Sequence, residues 1–303
     1  SLTDVDSLGA GIGIFCAARV LGKKAQIVIN EPTTSIRPLM ECFTPEKGYP
    51  EDMFINSEIA IEEVSRNSLV MVVDTNRPSY TECPELLTRT DTIVVFDHHR
   101  QGSEVIENPL LSYLEPYASS ACEMVAEVLQ YFQEGFKLSP AEADCIYAGI
   151  LIDTNNFMTK TGVRTFEAAA YLRRSGAEVT RVRKMLRNDM ACYKARAEAV
   201  RHAEVYRGAF AISVCPSEDV ESPTIVGAQA ANELLNIIGI KASFVLTEYA
   251  GKIYISSRSI DEINVQLIME RMGGGGHLNG LVRPNILSSV APIFLVREEI
   301  QKD

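Results

Sequence analysis

Short continuous runs of apolar residues recur in the first half of the chain, and they limit its fold more than any other feature. The runs cover residues 25–29, 69–73 and 92–96 and are rich in β-branched side chains. A run that does not alternate with polar residues is typical of a strand buried on both faces of a parallel sheet. Helical stretches separate the runs. Strands that alternate with helices predict an α/β fold with a parallel, doubly wound sheet.

Helix signals support this alternation. Helices are predicted directly after Asp6 and from Ser139 onwards. The second helix has the stronger start, since Ser139 provides a cap, Pro140 occupies the first turn and Glu142 completes a capping box. The apolar stretch that follows predicts that this helix reaches Asp153.

The second half of the chain begins with a charged helical segment at about 180–207, rich in Arg, Lys, Ala and Glu. We interpret its later part as a helical linker. This gives a first domain at 1–185, a connecting helix at 186–207 and a second domain at 208–303. The alternative is that the segment is one more surface helix of the first domain. A length of 303 residues also predicts two domains of ordinary size.

The second domain is predicted to be a smaller α+β domain. Its expected elements are a strand at 209–214, a helix at 228–238, a hairpin that turns at Ala250-Gly251 and a helix at 264–271. Four consecutive glycines, Gly273 to Gly276, and then His277 follow the last helix. These residues form the most unusual local pattern in this half.

The net charge and the cysteine content disfavour some classes of protein for this chain. The chain has 29 basic and 40 acidic residues, a net charge of −11. A protein that binds duplex nucleic acid would normally carry a basic surface, so no duplex partner is expected. The 7 cysteines are scattered and form no C-x-x-C pair, which is typical of thiols in a reducing compartment. The sequence contains no long apolar run or signal peptide, so we expect a cytoplasmic location.

Acidic residues and histidines lie where open α/β sheets place their sites, beyond the carboxyl ends of strands. Any one of them is as readily a helix cap, a turn residue or a hydrogen-bonded core histidine. Together they would be costly to bury unless a positive charge neutralises them. The set comprises Asp4, Asp6, Asp74, Asp97, His98, His99 and Asp153.

The ligand types in this set indicate a divalent metal. Carboxylate oxygens and imidazole nitrogens together suit Mn²⁺, with Fe²⁺, Co²⁺ and Mg²⁺ as alternatives, whereas the absence of thiolate disfavours a structural zinc site. A carboxylate shared by two cations would hold them about 3.5–4 Å apart, the spacing of two-metal phosphoryl chemistry.

At this point the sequence resembles a known family. The motifs Asp4-Val5-Asp6, Asp74, Asp97-His98-His99 and Asp153 look like motifs I to IV of the DHH phosphoesterase superfamily. The Gly-rich segment and His277 look like the DHHA1 domain that follows in one branch. The stretches 73–80, 114–120 and 153–157 resemble the GdpP-type cyclic-di-AMP phosphodiesterases in particular. The resemblance covers essentially the whole chain.

The resemblance implies a role for each residue of the acidic set. Asp4 would bind one metal and Asp6 the other, Asp74 would bridge them, and His98 and Asp153 would complete the second site. Asp97 would orient a ligand imidazole. His99 would contact a phosphate or donate a proton. The attacking group would be a water or hydroxide held between the two metals. The family pattern also has a His immediately before the position of Ser1, and we expect that this sequence starts one residue after it.

In the second domain the resemblance implies substrate binding. Glycine backbone approaches a phosphate closely, and an arginine binds one bidentately. The expected binding residues are Ser257, Arg258, Gly274, Gly275, Gly276 and His277. Without the other motifs, a flexible Gly turn beside a solvated Arg would be the simpler interpretation. Gly280-Leu281-Val282 stands where the family usually has small residues. Asn155 is a further candidate for substrate contact, with turn formation equally open.

The implied reaction is hydrolysis of cyclic di-AMP to linear 5′-pApA. The nearest alternative is a nanoRNase-type phosphodiesterase that degrades pApA and short oligonucleotides, and a catalytically inactive nucleotide sensor represents a different class. The family further implies upstream membrane-anchoring segments. The sequence leaves open whether the protein forms a homodimer.

Overall fold

The computed structural model describes residues 3–102, 104–187, 189–260, 263–272, 280–282 and 290–301. The chain folds into two compact units, residues 1–187 and 188–303. The first unit is built on parallel sheets between helices, which confirms the predicted α/β class. Within the described residues, no helix combines the length and the apolar character needed to cross a membrane.

Helices and strands alternate along the first unit. Its helices are α1 (Val5–Val20), α2 (Arg37–Met40), α3 (Ser57–Glu63), α4 (Ala121–Tyr131), α5 (Pro140–Asp153), α6 (Val163–Arg174) and α7 (Val179–Met185). Its strands are β1 (Ile27–Val28), β2 (Phe54–Ile55), β3 (Leu69–Val73), β4 (Thr92–Asp97) and β5 (Leu111–Leu114). The three apolar runs are therefore strands β1, β3 and β4, as predicted.

Strands β3, β4 and β5 form a parallel sheet with β4 in the middle. Val73 pairs with Phe96, and Asp97 pairs with Leu114. Strands β1 and β2 form a separate parallel pair. Because neighbouring parallel strands end at the same edge, the residues that follow β3 and β4 come close together there.

Glycines set the spacing of the helices that pack on this sheet. A Cβ added to Gly149 on α5 would lie 2.3 Å from the Sγ of Cys122 and 2.9 Å from Oδ1 of Asp6. A Cβ added to Gly9 on α1 would lie 2.5 Å from the same sulfur atom. Only residues without a side chain allow α1, α4 and α5 to approach this closely. The close packing brings Asp6 under the first turn of α4.

The predicted capping box at the start of α5 is confirmed. The hydroxyl of Ser139 accepts from the backbone N–H of Glu142 at 3.2 Å, and the Glu142 carboxylate accepts from the Ser139 N–H at 2.7 Å. The same carboxylate accepts from Arg19 at 2.6 Å and from the Tyr49 hydroxyl at 2.9 Å. The box therefore also ties α5 to α1.

The second unit is a mixed sheet with helices. Its strands are β6 (Glu204–Tyr206), β7 (Phe210–Cys215), β8 (Ala242–Tyr249), β9 (Lys252–Ser259) and β10 (Gly280–Val282), in the order β10-β9-β8-β7-β6. Its helices are α8 (Met190–Arg201), α9 (Pro223–Leu234), α10 (Val265–Arg271) and α11 (Val290–Gln301). The hairpin at Ala250-Gly251 is confirmed, since both residues have positive φ (51° and 71°) and Tyr249 pairs with Lys252.

The segment 186–207, predicted as one connecting helix, contains helix α8 and strand β6 instead. Helix α8 ends at Arg201, and its Ala195 and Ala199 are buried in a core of the second unit. The chain then forms β6, which pairs with β7 across a turn at Arg207-Gly208. Both turn residues have positive φ (50° and 71°), as a tight hairpin requires. The glycine and the strand-favouring Val205 outweigh the helical character of the preceding residues.

Candidate metal and phosphate site

The carboxyl ends of β3 and β4 bring three of the predicted site residues together, namely Asp74, Asp97 and His98. Asp74 follows β3 directly, and its N–H donates to the carbonyl of Phe96 on β4 at 2.8 Å. Asp74 has φ of 62°, in the left-handed region that few non-glycine residues adopt. Asp97 ends β4, so that His98 begins the loop beyond the sheet. This placement agrees with the expectation from the sequence.

His98 lies at the centre of the carboxylates. Its Nε2 atom is 3.3 Å from Oδ1 of Asp74, 3.4 Å from Oδ2 of Asp153 and 3.8 Å from Oδ2 of Asp6. The Nε2 atom and Asp74 Oδ1 are both buried, and among the described residues neither has a hydrogen-bond partner. Buried polar atoms without partners are rare in native proteins, which indicates that a further group belongs between them.

The electrostatics of the cluster favour a cation. Burial raises the pKa of Asp74 well above its ordinary value, and the neighbouring carboxylates of Asp4 and Asp6 raise it further. Burial also raises the pKa of Asp6, although His98 opposes that effect. Burial lowers the pKa of the His98 imidazole, which favours the neutral form that binds metals. The carboxylates would thus stay ionised together only beside a positive charge.

The geometry fits a divalent metal ion. Two groups of three residues each place one ligand atom per member within 4.8 Å of the others, namely Asp74, His98 and His99, and Asp6, His98 and Asp153. Separations of 3.3 and 3.4 Å between ligand atoms are typical of atoms that share one cation through bonds of about 2.1 Å. His98 belongs to both groups.

The first turn of α4 holds Asp6 in place. The fully buried Asp6 carboxylate accepts from the N–H of Ala121 at 2.7 Å and from the N–H of Cys122 at 2.9 Å. A helix N-terminus stabilises a carboxylate in this position through its unpaired N–H groups and its dipole. The sequence signal for this helix start is Ser120 with Glu123 three residues later, and Ser120 does accept from the Glu123 N–H at 3.0 Å.

Asp4 has a different environment from the other acidic residues. It is exposed and caps α1, with its side chain accepting from the N–H of Ser7 at 3.0 Å and from the Ser7 hydroxyl at 2.9 Å. Neither group of candidate metal ligands among the described residues includes it. Its proximity to the cluster is evident from its charge, which raises the pKa of both Asp6 and Asp74.

Asp97 holds the ring of His99 rather than that of His98. Its Oδ1 atom lies 2.7 Å from His99 Nδ1 and accepts from the His99 N–H at 3.1 Å. Its Oδ2 atom accepts from the side-chain amide of Asn76 at 2.5 Å. Asp97 is fully buried, whereas the His99 side chain is 30% exposed. Because Nδ1 is engaged with Asp97, His99 is better placed to act on a substrate than to bind a metal through that atom.

Asp153 ends α5 and begins a turn of unusual backbone geometry. Asn155, Asn156 and Phe157 have successive φ values of 47°, 59° and 63°. Asparagine tolerates this left-handed region, whereas phenylalanine rarely adopts it. The hydroxyl of Thr154 stabilises the turn by accepting from the Phe157 N–H at 3.0 Å. The turn fixes where α5 stops and therefore where Asp153 lies.

The second unit holds two of the predicted binding residues on strand β9. Arg258 donates through Nε to Oδ1 of Asn232 on α9 at 3.0 Å and through Nη1 to the carbonyl of Ser257 at 2.8 Å. Both side chains are partly exposed. The remaining binding candidates of this unit lie outside the described residues, namely Gly274, Gly275, Gly276 and His277.

Sequence reasoning missed three contributors to the site. The N-terminal turn of α4, the amide of Asn76 and the small residue Gly149 all contact predicted site residues. The sequence did contain the capping signal at Ser120, but the contacts of Asn76 and Gly149 depend on tertiary packing that no local pattern specifies.

The chain is similar to proteins of known family. The DHH family, N-terminal domain, matches residues 2–150, and the DHHA1 domain matches residues 209–279. The cyclic-di-AMP phosphodiesterase GdpP of Geobacillus thermodenitrificans is 42% identical over 91% of this chain. The cyclic-di-AMP phosphodiesterase PdeA of Listeria monocytogenes is 38% identical over 91% of it. The chain spans 42% of the length of each of these relatives.

Solved structures agree on the fold. An exopolyphosphatase-related protein from Bacteroides fragilis superimposes with a TM-score of 0.82, covering 99% of this chain and 89% of that protein. At 17% identity this likeness supports the fold alone. The two matched families, in this order along the chain, settle the classification. The chain belongs to the DHH phosphoesterase superfamily, in the branch whose members carry a DHHA1 domain.

Proposed function

We propose that this chain is the catalytic part of a metal-dependent phosphodiesterase that hydrolyses cyclic di-AMP to linear 5′-pApA. One observation carries the proposal: His98 Nε2 and Asp74 Oδ1 are buried and 3.3 Å apart, and among the described residues neither has a hydrogen-bond partner. Such a pair fits a metal ion held by oxygen and imidazole ligands. The activity named for the two relatives supports the choice of substrate.

The proposed metal ligands are the acidic residues of the cluster and its central histidine. We assign Asp4, Asp6, Asp74, His98 and Asp153 to two divalent ions, with Asp74 shared, and we propose Mn²⁺ as the physiological metal. When bound, such ions neutralise phosphate charge and lower the pKa of the attacking water. Two backbone N–H groups of α4 hold the carboxylate of Asp6, which would keep this ligand in place.

His99 and Asp97 act on the leaving group in this proposal. Hydrolysis of a 3′–5′ phosphodiester releases the 3′-oxygen, which needs a proton as the P–O bond breaks. His99 is 30% exposed and would donate that proton through Nε2, while Asp97 holds Nδ1. Asp97 also compensates the positive charge of the ring before the proton is transferred.

The second unit would bind a nucleotide of the substrate. Arg258 has a fixed guanidinium, since Asn232 and the backbone of Ser257 both accept from it. A guanidinium with a fixed orientation binds a phosphate at a lower entropic cost than a mobile one. We propose that Ser257, Gly274, Gly275, Gly276 and His277 bind the same nucleotide, and that Asn155 is a further substrate contact.

A product assay tests the proposal. The protein is incubated with Mn²⁺ and separately with cyclic di-AMP, pApA and a short RNA, and the products are separated by chromatography. Accumulation of pApA from the cyclic substrate supports the proposal. Conversion of pApA and RNA to mononucleotides, with the cyclic substrate intact, would replace it with a nanoRNase-type activity.

The Asp74→Asn variant is the matched control for this assay. It keeps the size of the side chain but removes the charge that two ions would share. Loss of turnover in this variant assigns the products to the metal cluster and excludes a contaminating nuclease. An absence of turnover in the parent protein, with metal bound, would indicate a nucleotide sensor.

A further inference from the structure

Asn76 lies two residues after Asp74 and points its amide into the base of the site. The residue is 4% exposed. Its Nδ2 atom donates to Oδ2 of Asp97 at 2.5 Å and approaches the carbonyl oxygen of His99 at 3.4 Å. Its backbone carbonyl accepts from the N–H of Ile106 at 2.9 Å, which fixes the loop that carries it. The amide therefore contacts both residues proposed to handle the proton.

The amide of Asn76 is one of the groups that orient the carboxylate of Asp97. This carboxylate is fully buried. Its Oδ1 atom accepts from the backbone N–H of His99 and is hydrogen-bonded to Nδ1 of the His99 ring. Oδ2 accepts from the amide of Asn76. A buried carboxylate oxygen that loses its donor is costly, so removal of the amide would favour rotation of the carboxylate.

The orientation of the Asn76 amide is chemically determined. Its nitrogen must face the carboxylate, because an amide oxygen there would repel Asp97. The amide oxygen then points away and is buried without a hydrogen-bond partner among the described residues. The protein thus tolerates an unsatisfied acceptor in order to place a donor against Asp97.

We infer that Asn76 is a positioning residue that acts through Asp97 to keep a proton on Nδ1 of His99, so that the doubly protonated ring gives its Nε2 proton to the leaving oxygen and is left as the neutral Nδ1–H tautomer. The inference rests on the proposed function for its catalytic consequence. The arrangement of hydrogen bonds itself does not depend on the substrate. In the neutral ring, a carboxylate at Nδ1 selects the tautomer with the proton on that atom.

The tautomer of His99 is measured directly by ¹⁵N NMR of histidine-labelled protein at mildly alkaline pH. Diamagnetic Mg²⁺ is added, and the His99→Gln variant assigns the signal. We expect the Nδ1–H tautomer in the parent protein and its loss in Asn76→Ala and Asn76→Asp. Retention of the parent tautomer in both variants would overturn the inference. Asn56→Ala, which removes a cap of α3 away from the site, should leave the signal unchanged.

The exchanged double variant separates positioning from a general loss of folding. Asn76→Asp combined with Asp97→Asn keeps an amide–carboxylate hydrogen bond with its partners exchanged, and the new amide oxygen at position 97 would still accept from His99. We expect the double variant to recover the Nδ1–H tautomer that Asn76→Asp alone loses. If the double variant has the same tautomer distribution as Asn76→Asp alone, this hydrogen bond does not position the ring.

Kinetics then test the catalytic consequence. With cyclic di-AMP and Mn²⁺, Asn76→Ala should lower kcat by about 10- to 100-fold with KM nearly unchanged. With bis(p-nitrophenyl) phosphate, whose leaving group needs no proton, the loss should be much smaller. Equal losses on both substrates would contradict a role in protonation. If the parent protein cleaves neither diester, the proposed function fails, and the NMR result still decides whether Asn76 positions His99.

Discussion

The Nε2 atom of His98 lies 3.3 Å from Oδ1 of Asp74, with both atoms buried inside a cluster of carboxylates. The sheet creates this relationship, since Asp74 follows β3 and His98 follows its parallel neighbour β4. Burial raises the pKa of Asp74 and lowers that of His98, so that neither readily neutralises the other as an ion pair. The pair is therefore arranged to bind a cation and not to form a salt bridge.

Replacing Asp74 should change stability and activity in opposite directions. Asp74→Asn should lower turnover by at least about 1,000-fold, because it removes the ligand that we propose both ions share. In EDTA the variant should have a higher Tm than the parent, since it removes a buried charge beside Asp6. Thermal unfolding with and without Mn²⁺ measures both effects. At a concentration of Mn²⁺ about 100 times Kd, the parent should gain about 2.7 kcal/mol for each ion bound and the variant much less.

Near-normal turnover of Asp74→Asn would contradict the assignment of a shared ligand. An equal Mn²⁺-dependent stabilisation in both proteins would do so independently of any substrate.

Gly149 should be intolerant of a methyl group. Gly149→Ala would place a Cβ 2.3 Å from Cys122 Sγ and 2.9 Å from Asp6 Oδ1. We expect a loss of about 1–3 kcal/mol in the free energy of unfolding and weaker binding of Mn²⁺, because Asp6 must move. The matched control is Gly11→Ala on α1, where the nearest atom is 3.6 Å away and helix propensity should add about 0.5–1 kcal/mol. Urea unfolding and metal titration of both variants provide the comparison.

The fold was predictable where one local pattern decided it. The apolar runs at β3 and β4, the capping box at Ser139 and the turn at Ala250-Gly251 are all readable over a few residues. In each of these segments, the spacing of the apolar residues or the capping residues is compatible with only one type of secondary structure. The edge at which Asp74 and Asp97 meet then followed from the parallel class of the sheet.

The less predictable features depend on contacts between distant segments. Asp6 is held by Cys122, which lies 116 residues away in the sequence, and Asn76, just beyond β3, contacts Asp97 at the end of the neighbouring strand β4. The strand β6 was missed because the charged residues before it continue a helical pattern until Arg207-Gly208 reverses the chain. In each case tertiary packing outweighs local propensity.

Glu142 should make the free energy of unfolding decrease at low pH. Burial is the largest influence and raises the pKa of Glu142, but hydrogen bonds from Arg19 and from the Ser139 N–H outweigh it, so the pKa lies below its ordinary value. A carboxyl with a lowered pKa contributes stability at neutral pH, and this contribution is lost as the pH falls through the folded-state pKa. Glu142→Gln should cost about 1–2 kcal/mol at neutral pH, below the value for a fully buried pair because Arg19 is 44% exposed.

The difference in unfolding free energy between parent and Glu142→Gln should shrink steadily in acid. Chemical denaturation at a series of pH values measures it. The exposed Glu134→Gln serves as a control and should follow the parent throughout. A difference that stays constant down to strongly acidic pH would mean that the charge of Glu142 contributes nothing.

Arg258 should affect substrate binding more than the chemical step. Its guanidinium is held by Asn232 and by the carbonyl of Ser257, so it is oriented before any ligand arrives. Arg258→Ala should raise KM by about 10- to 100-fold, the range for loss of hydrogen bonds to a charged group, with kcat within a few-fold of the parent. Asn232→Ala should raise KM by a smaller factor, since the guanidinium remains but is less ordered. Initial rates on cyclic di-AMP provide both constants, and Mn²⁺ affinity, measured separately, should stay unchanged in both variants. A fall in kcat at constant KM would instead place Arg258 against charge that develops only in the transition state.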